Sequence, residues 1–130
     1  MAGRRDTGTR LLLEKEIEKM ILQWLDLHAN IFCWKQNTTG IYDPTEQKFR
    51  RLRGFARKGI SDILMIVHPS GRMGAIEVKT PERAKICMRQ YGFRCTPEQM
   101  DFIDRVKTCG GFAGVATSIE DAMFICRGNI

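Results

Sequence analysis

Apolar positions along this chain follow two rhythms, one helical and one strand-like. From about Thr9 to His28, Leu13, Ile17, Met20, Ile21, Trp24 and Leu25 recur at helical spacing, which predicts one amphipathic helix packed on a sheet and ended by Asn30. Ile31 to Lys35 reads as a short strand, after which Asn37-Thr38-Thr39-Gly40 and Asp43-Pro44 break into a polar loop. The run Ile63-Leu64-Met65-Ile66-Val67-His68, the turn Pro69-Ser70-Gly71-Arg72 and the run Met73-Gly74-Ala75-Ile76 predict an antiparallel hairpin. Pro81 to Cys95 carries several charges and no clear period. Thr96-Pro97-Glu98-Gln99 opens a second helix, with a Thr N-cap, Pro at the first helical position and Gln at the third, and Gly110-Gly111 closes it. Phe112 to Ala116 is a last strand, and Ser118 caps a short final helix carrying Ala122, Met123 and Ile125. The expected order is α-β-β-β-α-β-α, an α/β arrangement with a mixed β-sheet flanked by helices.

Length adds that 130 residues suffice for one compact domain with a real core, so residues 1–130 are expected to form a single domain. The 21 Lys and Arg outnumber the 15 Asp and Glu, and the formal charge of +6 favours a polyanionic partner. Five cysteines, an odd number with no Cys-x-x-Cys pair, argue against a disulfide framework and a zinc ribbon. No apolar stretch approaches the roughly 20 residues needed to span a bilayer, and the first residues lack a signal-peptide pattern. A soluble, cytoplasmic protein without a membrane partner is the expectation.

The hairpin also carries the chemistry. A turn centred near Ser70-Gly71 pairs residues whose numbers sum to about 141, placing Asp62 opposite Lys79 and diagonal to Glu77. Glu77 and Lys79 share a sheet face by the period of two. Two carboxylates and an ammonium converging on one spot are what a divalent-metal phosphodiesterase uses, whereas the ordinary alternative is a cross-strand salt bridge at a sheet edge. The triplet alone says little, because Glu46-Gln47-Lys48 is a second Glu-x-Lys in the same chain. Only the later copy follows a strand-like run with an Asp at the matching end of the preceding strand.

Three further features bear on that spot. Between Lys48 and Lys58 lie six cations and no acid, namely Lys48, Arg50, Arg51, Arg53, Arg57 and Lys58, interleaved with Phe49, Gly54 and Phe55. A solvated loop is the commoner meaning of a charge run, but one that precedes a candidate metal site suits a phosphate-tracking arm. Gln99 is explained by a capping box with Thr96, yet it shares a helical stripe with Phe102, Ile103 and Val106, which should aim it at the sheet end holding Glu77 and Lys79. Glu14 and Glu18 border the apolar face of the first helix, and either can supply a further ligand for metal or water; Glu14, nearer the centre of the stripe, is preferred. His28 and His68 stand alone and take no part.

Lys58-Gly59-Ile60-Ser61-Asp62, Ala75-Ile76-Glu77-Val78-Lys79 and Thr96-Pro97-Glu98-Gln99, in this order, resemble the stand-alone virus-type replication-repair nuclease (VRR-NUC) domains of bacteriophages and bacteria, within the restriction-endonuclease-like PD-(D/E)xK superfamily. The resemblance extends to Trp34-Lys35-Gln36-Asn37-Thr38-Thr39-Gly40 and to Gly110-Gly111-Phe112; Ser61 departs from it by standing where the superfamily has Pro. It implies a restriction-endonuclease-like core and a Mg²⁺- or Mn²⁺-dependent DNA endonuclease, acting as a homodimer on branched DNA such as Holliday junctions in a bacterial or phage-infected cell. In that setting Asp62, Glu77 and the Val78 carbonyl ligate the ion, Lys79 orients the attacking water, and Gln99 holds a water or ligand in register. The alternatives are a non-catalytic junction-binding module on the same fold, or a nuclease for flaps or other DNA.

Overall fold

The structure is a computed structural model whose described residues are 12–36, 42–43, 45–49 and 57–130. Helix α1 (Glu14–Asp26) leads into strand β1 (Ile31–Lys35), and a short hairpin, β2 (Tyr42–Asp43) with β3 (Lys48–Phe49), stands apart as its own two-stranded sheet. Strands β4 (Ile63–Val67) and β5 (Arg72–Val78) follow, then helices α2 (Pro81–Tyr91) and α3 (Pro97–Thr108), strand β6 (Phe112–Ala116) and helix α4 (Ile119–Cys126). The main sheet runs β1-β4-β5-β6, with β1 and β5 antiparallel to β4 and β6 parallel to β5. That parallel pair requires a crossover, which α2 and α3 provide. The chain is thus α/β, a mixed four-stranded sheet flanked by helices, consistent with a restriction-endonuclease-like core.

Alternation along β4 and β5 assigns the two faces. Ile63, Met65, Val67, Ile76 and Val78 meet Ile17, Ile21 and Leu25 of α1 and Ala122 and Cys126 of α4. Leu64 and Ala75 face the other way, onto Ile103 and Val106 of α3. Ile21 and Leu25 are fully buried, each worth about 1.5–3 kcal/mol relative to exposure. The stripe read for α1 therefore holds at Ile17, Ile21 and Leu25, while Leu13 and Met20 are 65% and 40% exposed because they lie on its margins.

Three expectations change, the first being that the β2–β3 pair stands in the stretch expected as a polar loop. Helix α2 occupies a stretch in which no period was evident, since only Ala84 and Cys87 along it are buried and so few buried positions make no stripe. Its ends are ordinary: Thr80 Oγ1 accepts the Arg83 N–H, Pro81 follows, and Gly92 closes it at φ 85. The hairpin register also differs. Val67 pairs with Arg72 and Ile63 with Ile76, a sum of 139 instead of 141, because His68 belongs to the turn and Gly71 N–H, at φ 76, bonds back to Val67 O at 2.8 Å. Continued by one residue, this register sets Asp62 opposite Glu77, and Lys79 is no longer its facing residue.

Among the described residues, no helix is long and apolar enough to cross a membrane. Cys33, Cys87, Cys95, Cys109 and Cys126 are free thiols.

Candidate active site

Asp62, Glu77 and Lys79 come together where β4 begins and β5 ends, on the sheet face that carries α3. Asp62 Oδ2 accepts the Val78 N–H at 2.8 Å, and the Asp62 carbonyl accepts the Gln36 N–H at 2.7 Å. A strand residue sends its N–H and C=O to the same edge, so the Val78 carbonyl also leaves β5 on the Asp62 side. Glu77 is 2% exposed and Lys79 7%, with Lys79 Nζ 3.9 Å from Glu77 Oε2. Lys79 N–H donates to Ala116 O at 3.0 Å, which ties this strand end to β6.

Gln99 closes the site from α3. Its Nε2 donates to Glu77 Oε2 at 3.0 Å, while its Oε1 accepts the Thr96 N–H and Thr96 Oγ1 accepts the Gln99 N–H. The capping box and the inward contact coexist in one side chain. Gly59 explains how α3 comes so near: at φ +77 it lies against the Glu98 and Gln99 backbone, where a Cβ would overlap the Glu98 carbonyl. The glycine of the Lys58-to-Asp62 segment is therefore a positioning residue that the sequence reading quoted without assigning it a role.

Among the described residues, Glu77 Oε1 and the fully buried Ser61 Oγ have no hydrogen-bond partner. Burial is the largest influence on the Glu77 carboxyl and pushes its pKa far above the carboxylate range; the neighbouring Asp62 charge acts in the same direction and Lys79 against it. The Cys95 thiol, buried beneath the site, is raised to about 11 by burial and then by the Glu77 charge. Glu14 feels the same cluster from α1: burial, then Asp62, raise its pKa, and Lys79 and Arg83 oppose them.

The two acids of α1 separate. Glu18 is buried and its Oε1 lies 3.1 Å from Lys35 Nζ. Glu14 shares the stripe with Ile17 and Ile21, but in the first turn of α1 it is exposed, within the electrostatic reach of Asp62 and Lys79. No three His, Cys, Asp or Glu side chains gather as a ready metal cage among the described residues.

The cationic arm is described in part. Lys48 begins β3, and Arg57 and Lys58 are exposed just ahead of Gly59; Arg50, Arg51 and Arg53 lie outside the described residues. Arg94, further along the chain, is bonded to Thr117 Oγ1 and Asp121 Oδ2, each at 3.3 Å.

Residues 12–120 match the family model of the VRR-NUC domain. No curated protein and no solved structure matches the chain.

Proposed function

Because this chain belongs to the VRR-NUC domain family, a family of nucleases, we propose that it is a Mg²⁺- or Mn²⁺-dependent DNA endonuclease of the PD-(D/E)xK type. The observation that carries this is a buried carboxylate, Glu77, with one oxygen held by Gln99, the other unpartnered, and Asp62 beside it. Two adjacent acids repel each other in a dry setting, and a hard cation between them removes that cost. Asp62, Glu77 and the Val78 carbonyl fit an ion that keeps several waters as its remaining ligands, and such a partial protein set is usual for Mg²⁺. When bound, the ion supplies an acidified water and charge neutralisation at the phosphate.

The chain's own residues do the rest. Gln99 fixes the Glu77 oxygen that faces Lys79 and so leaves the second oxygen free for the ion it would hold. Lys79, a buried ammonium beside that carboxylate, orients the attacking water and offsets negative charge growing on the phosphate. Glu14 is the α1 acid favoured for a further water or ligand contact, since Glu18 is committed to Lys35. Lys48, Arg50, Arg51, Arg53, Arg57 and Lys58 track the phosphate backbone. Branched DNA, such as a four-way junction, is the substrate and a homodimer the active species, because two sites related by a two-fold axis suit two strands of a two-fold junction.

A cleavage panel over linear, flap and four-way DNA with Mg²⁺, Mn²⁺ and EDTA tests this. Cleavage with either ion, strongest on four-way DNA and absent in EDTA, is expected. Binding without any metal-dependent product would favour a silent junction-binding module.

A further inference from the structure

At the end of β5 away from Glu77 and Lys79, a cleft of about 590 Å³ opens between the β4–β5 turn, the outer half of α3 and the turn into β6. Sites for small ligands span about 300–1,000 Å³, so this one has room for a single organic group and not for a duplex. Met73 and Phe102 supply an apolar floor, and among the described residues Arg57, Arg72 and Arg105 are the charged ones that line it, with no acid. Arg72 is fixed in place, with Nε donating to Gly110 O at 2.8 Å and its guanidinium 5.7 Å from the centre of the Phe112 ring. Arg105 Nε lies 2.9 Å from Asp101 Oδ2, but both side chains are more than 60% exposed, so the pair is weakly held and a phosphate can displace it. An occupant that satisfies this lining is flat and apolar on one side and anionic on the other.

We propose that the cleft takes an unpaired nucleotide of the DNA substrate, its base on Phe102 and Met73 and its phosphates among the three arginines. The inference rests on the nuclease reading and gives that substrate a second contact. Arg72 lies five positions before Glu77 along β5, a span of about 17 Å at ~3.3 Å per residue. The cleft thus holds the strand at a distance from the scissile phosphate without competing for Asp62, Glu77 or Lys79. Arg57 lines the cleft, and the chain runs on from it through Gly59, against the Glu98 and Gln99 backbone, to Asp62.

Cys109 lines the cleft and is exposed, which makes it a native reporter. The full chain is alkylated with iodoacetamide in EDTA, with and without saturating DNA bearing a single-stranded tail, and modification of Cys109 is read by peptide mass. Tailed DNA is expected to slow Cys109 alkylation about fivefold or more, and fully paired linear DNA to slow it less. The exposed pair Arg57→Ala and Arg105→Ala, combined, is expected to weaken tailed-DNA binding about tenfold and to reduce the salt slope by about two. Unchanged alkylation at saturation, equal protection by duplex, or wild-type affinity of the double variant would each overturn the cleft assignment. Protection by polyglutamate and not by DNA would overturn it in favour of an acidic protein partner. A chain that cuts DNA with metal yet leaves Cys109 unprotected loses only the cleft; one that neither binds nor cuts any DNA loses the nuclease reading as well.

Discussion

The Gln99 amide spans two jobs: Nε2 donates to Glu77 Oε2 at 3.0 Å while Oε1 accepts the Thr96 N–H at 2.9 Å. Helix start and candidate metal ligand are thereby one hydrogen-bonded unit. Gln99→Ala removes both contacts. A loss of about 1 kcal/mol of stability is expected from the cap, and metal affinity should fall about 10–100-fold from the freed carboxylate. Urea denaturation and a Mg²⁺ titration of cleavage read the two effects separately; a variant that loses stability alone would reduce Gln99 to a cap.

Glu77 is costly to the metal-free fold, since burial beside Asp62 penalises the ionised form that the unfolded chain adopts at neutral pH. Glu77→Gln keeps the shape, lets the amide oxygen accept from Gln99 and removes the repulsion. In EDTA the variant should be more stable than wild type by an amount on the order of 1 kcal/mol. Mg²⁺ should raise the melting temperature of wild type and leave that of Glu77→Gln nearly unchanged. Both are read by thermal denaturation with and without the ion.

Gly59 and Gly71 have nearly the same φ, +77 and +76, yet their surroundings differ. An added methyl at Gly71 meets open space, so Gly71→Ala is expected to cost about 1 kcal/mol through backbone strain alone. At Gly59 the methyl strikes the Glu98 backbone, so Gly59→Ala should cost at least about 2 kcal/mol and push Gln99 off Glu77. Equal costs at the two positions would contradict the close approach of α3.

Asp121 anchors the start of α4, accepting from Thr117 N–H at 2.9 Å, from the Thr117 hydroxyl at 2.8 Å and from Arg94. Burial raises its pKa, but the Thr117 and Arg94 contacts outweigh that and hold it below the ordinary value. A depressed carboxylate stabilises the fold above its unfolded pKa, near 4, and loses this as pH falls through the folded value. Asp121→Asn is thus expected to cost about 1 kcal/mol at neutral pH, discounted for partial exposure, and almost nothing at a pH well below the folded value. Denaturation at the two pH values checks it.

The sequence made the site legible through order: a strand-like run ending in Glu77-Val78-Lys79, an Asp62 at the matching end of the run before it, and a capped helix whose stripe carried Gln99. Register was not legible to better than two residues. Whether His68 ends a strand or begins a turn depends on the Gly71-to-Val67 hydrogen bond, which the alternation of apolar residues does not encode. Helix α2 was hidden because periodicity reports burial and this helix buries little, although Thr80-Pro81-Glu82 repeats the Thr96-Pro97-Glu98 start that marked α3. Caps were the better signal there. Glu14 against Glu18 needed the ion pair between Glu18 and Lys35, which arises only on folding.

Lys79 bears most directly on the central claim, because its buried ammonium has a catalytic purpose only if a phosphodiester is cut beside Glu77. The decisive measurement is Mg²⁺-dependent cleavage of labelled four-way DNA by wild type and Lys79→Ala, with binding of the same DNA followed in EDTA. Cleavage should drop at least about 1,000-fold in the variant while DNA binding stays near that of wild type. Full cleavage by Lys79→Ala would contradict the account.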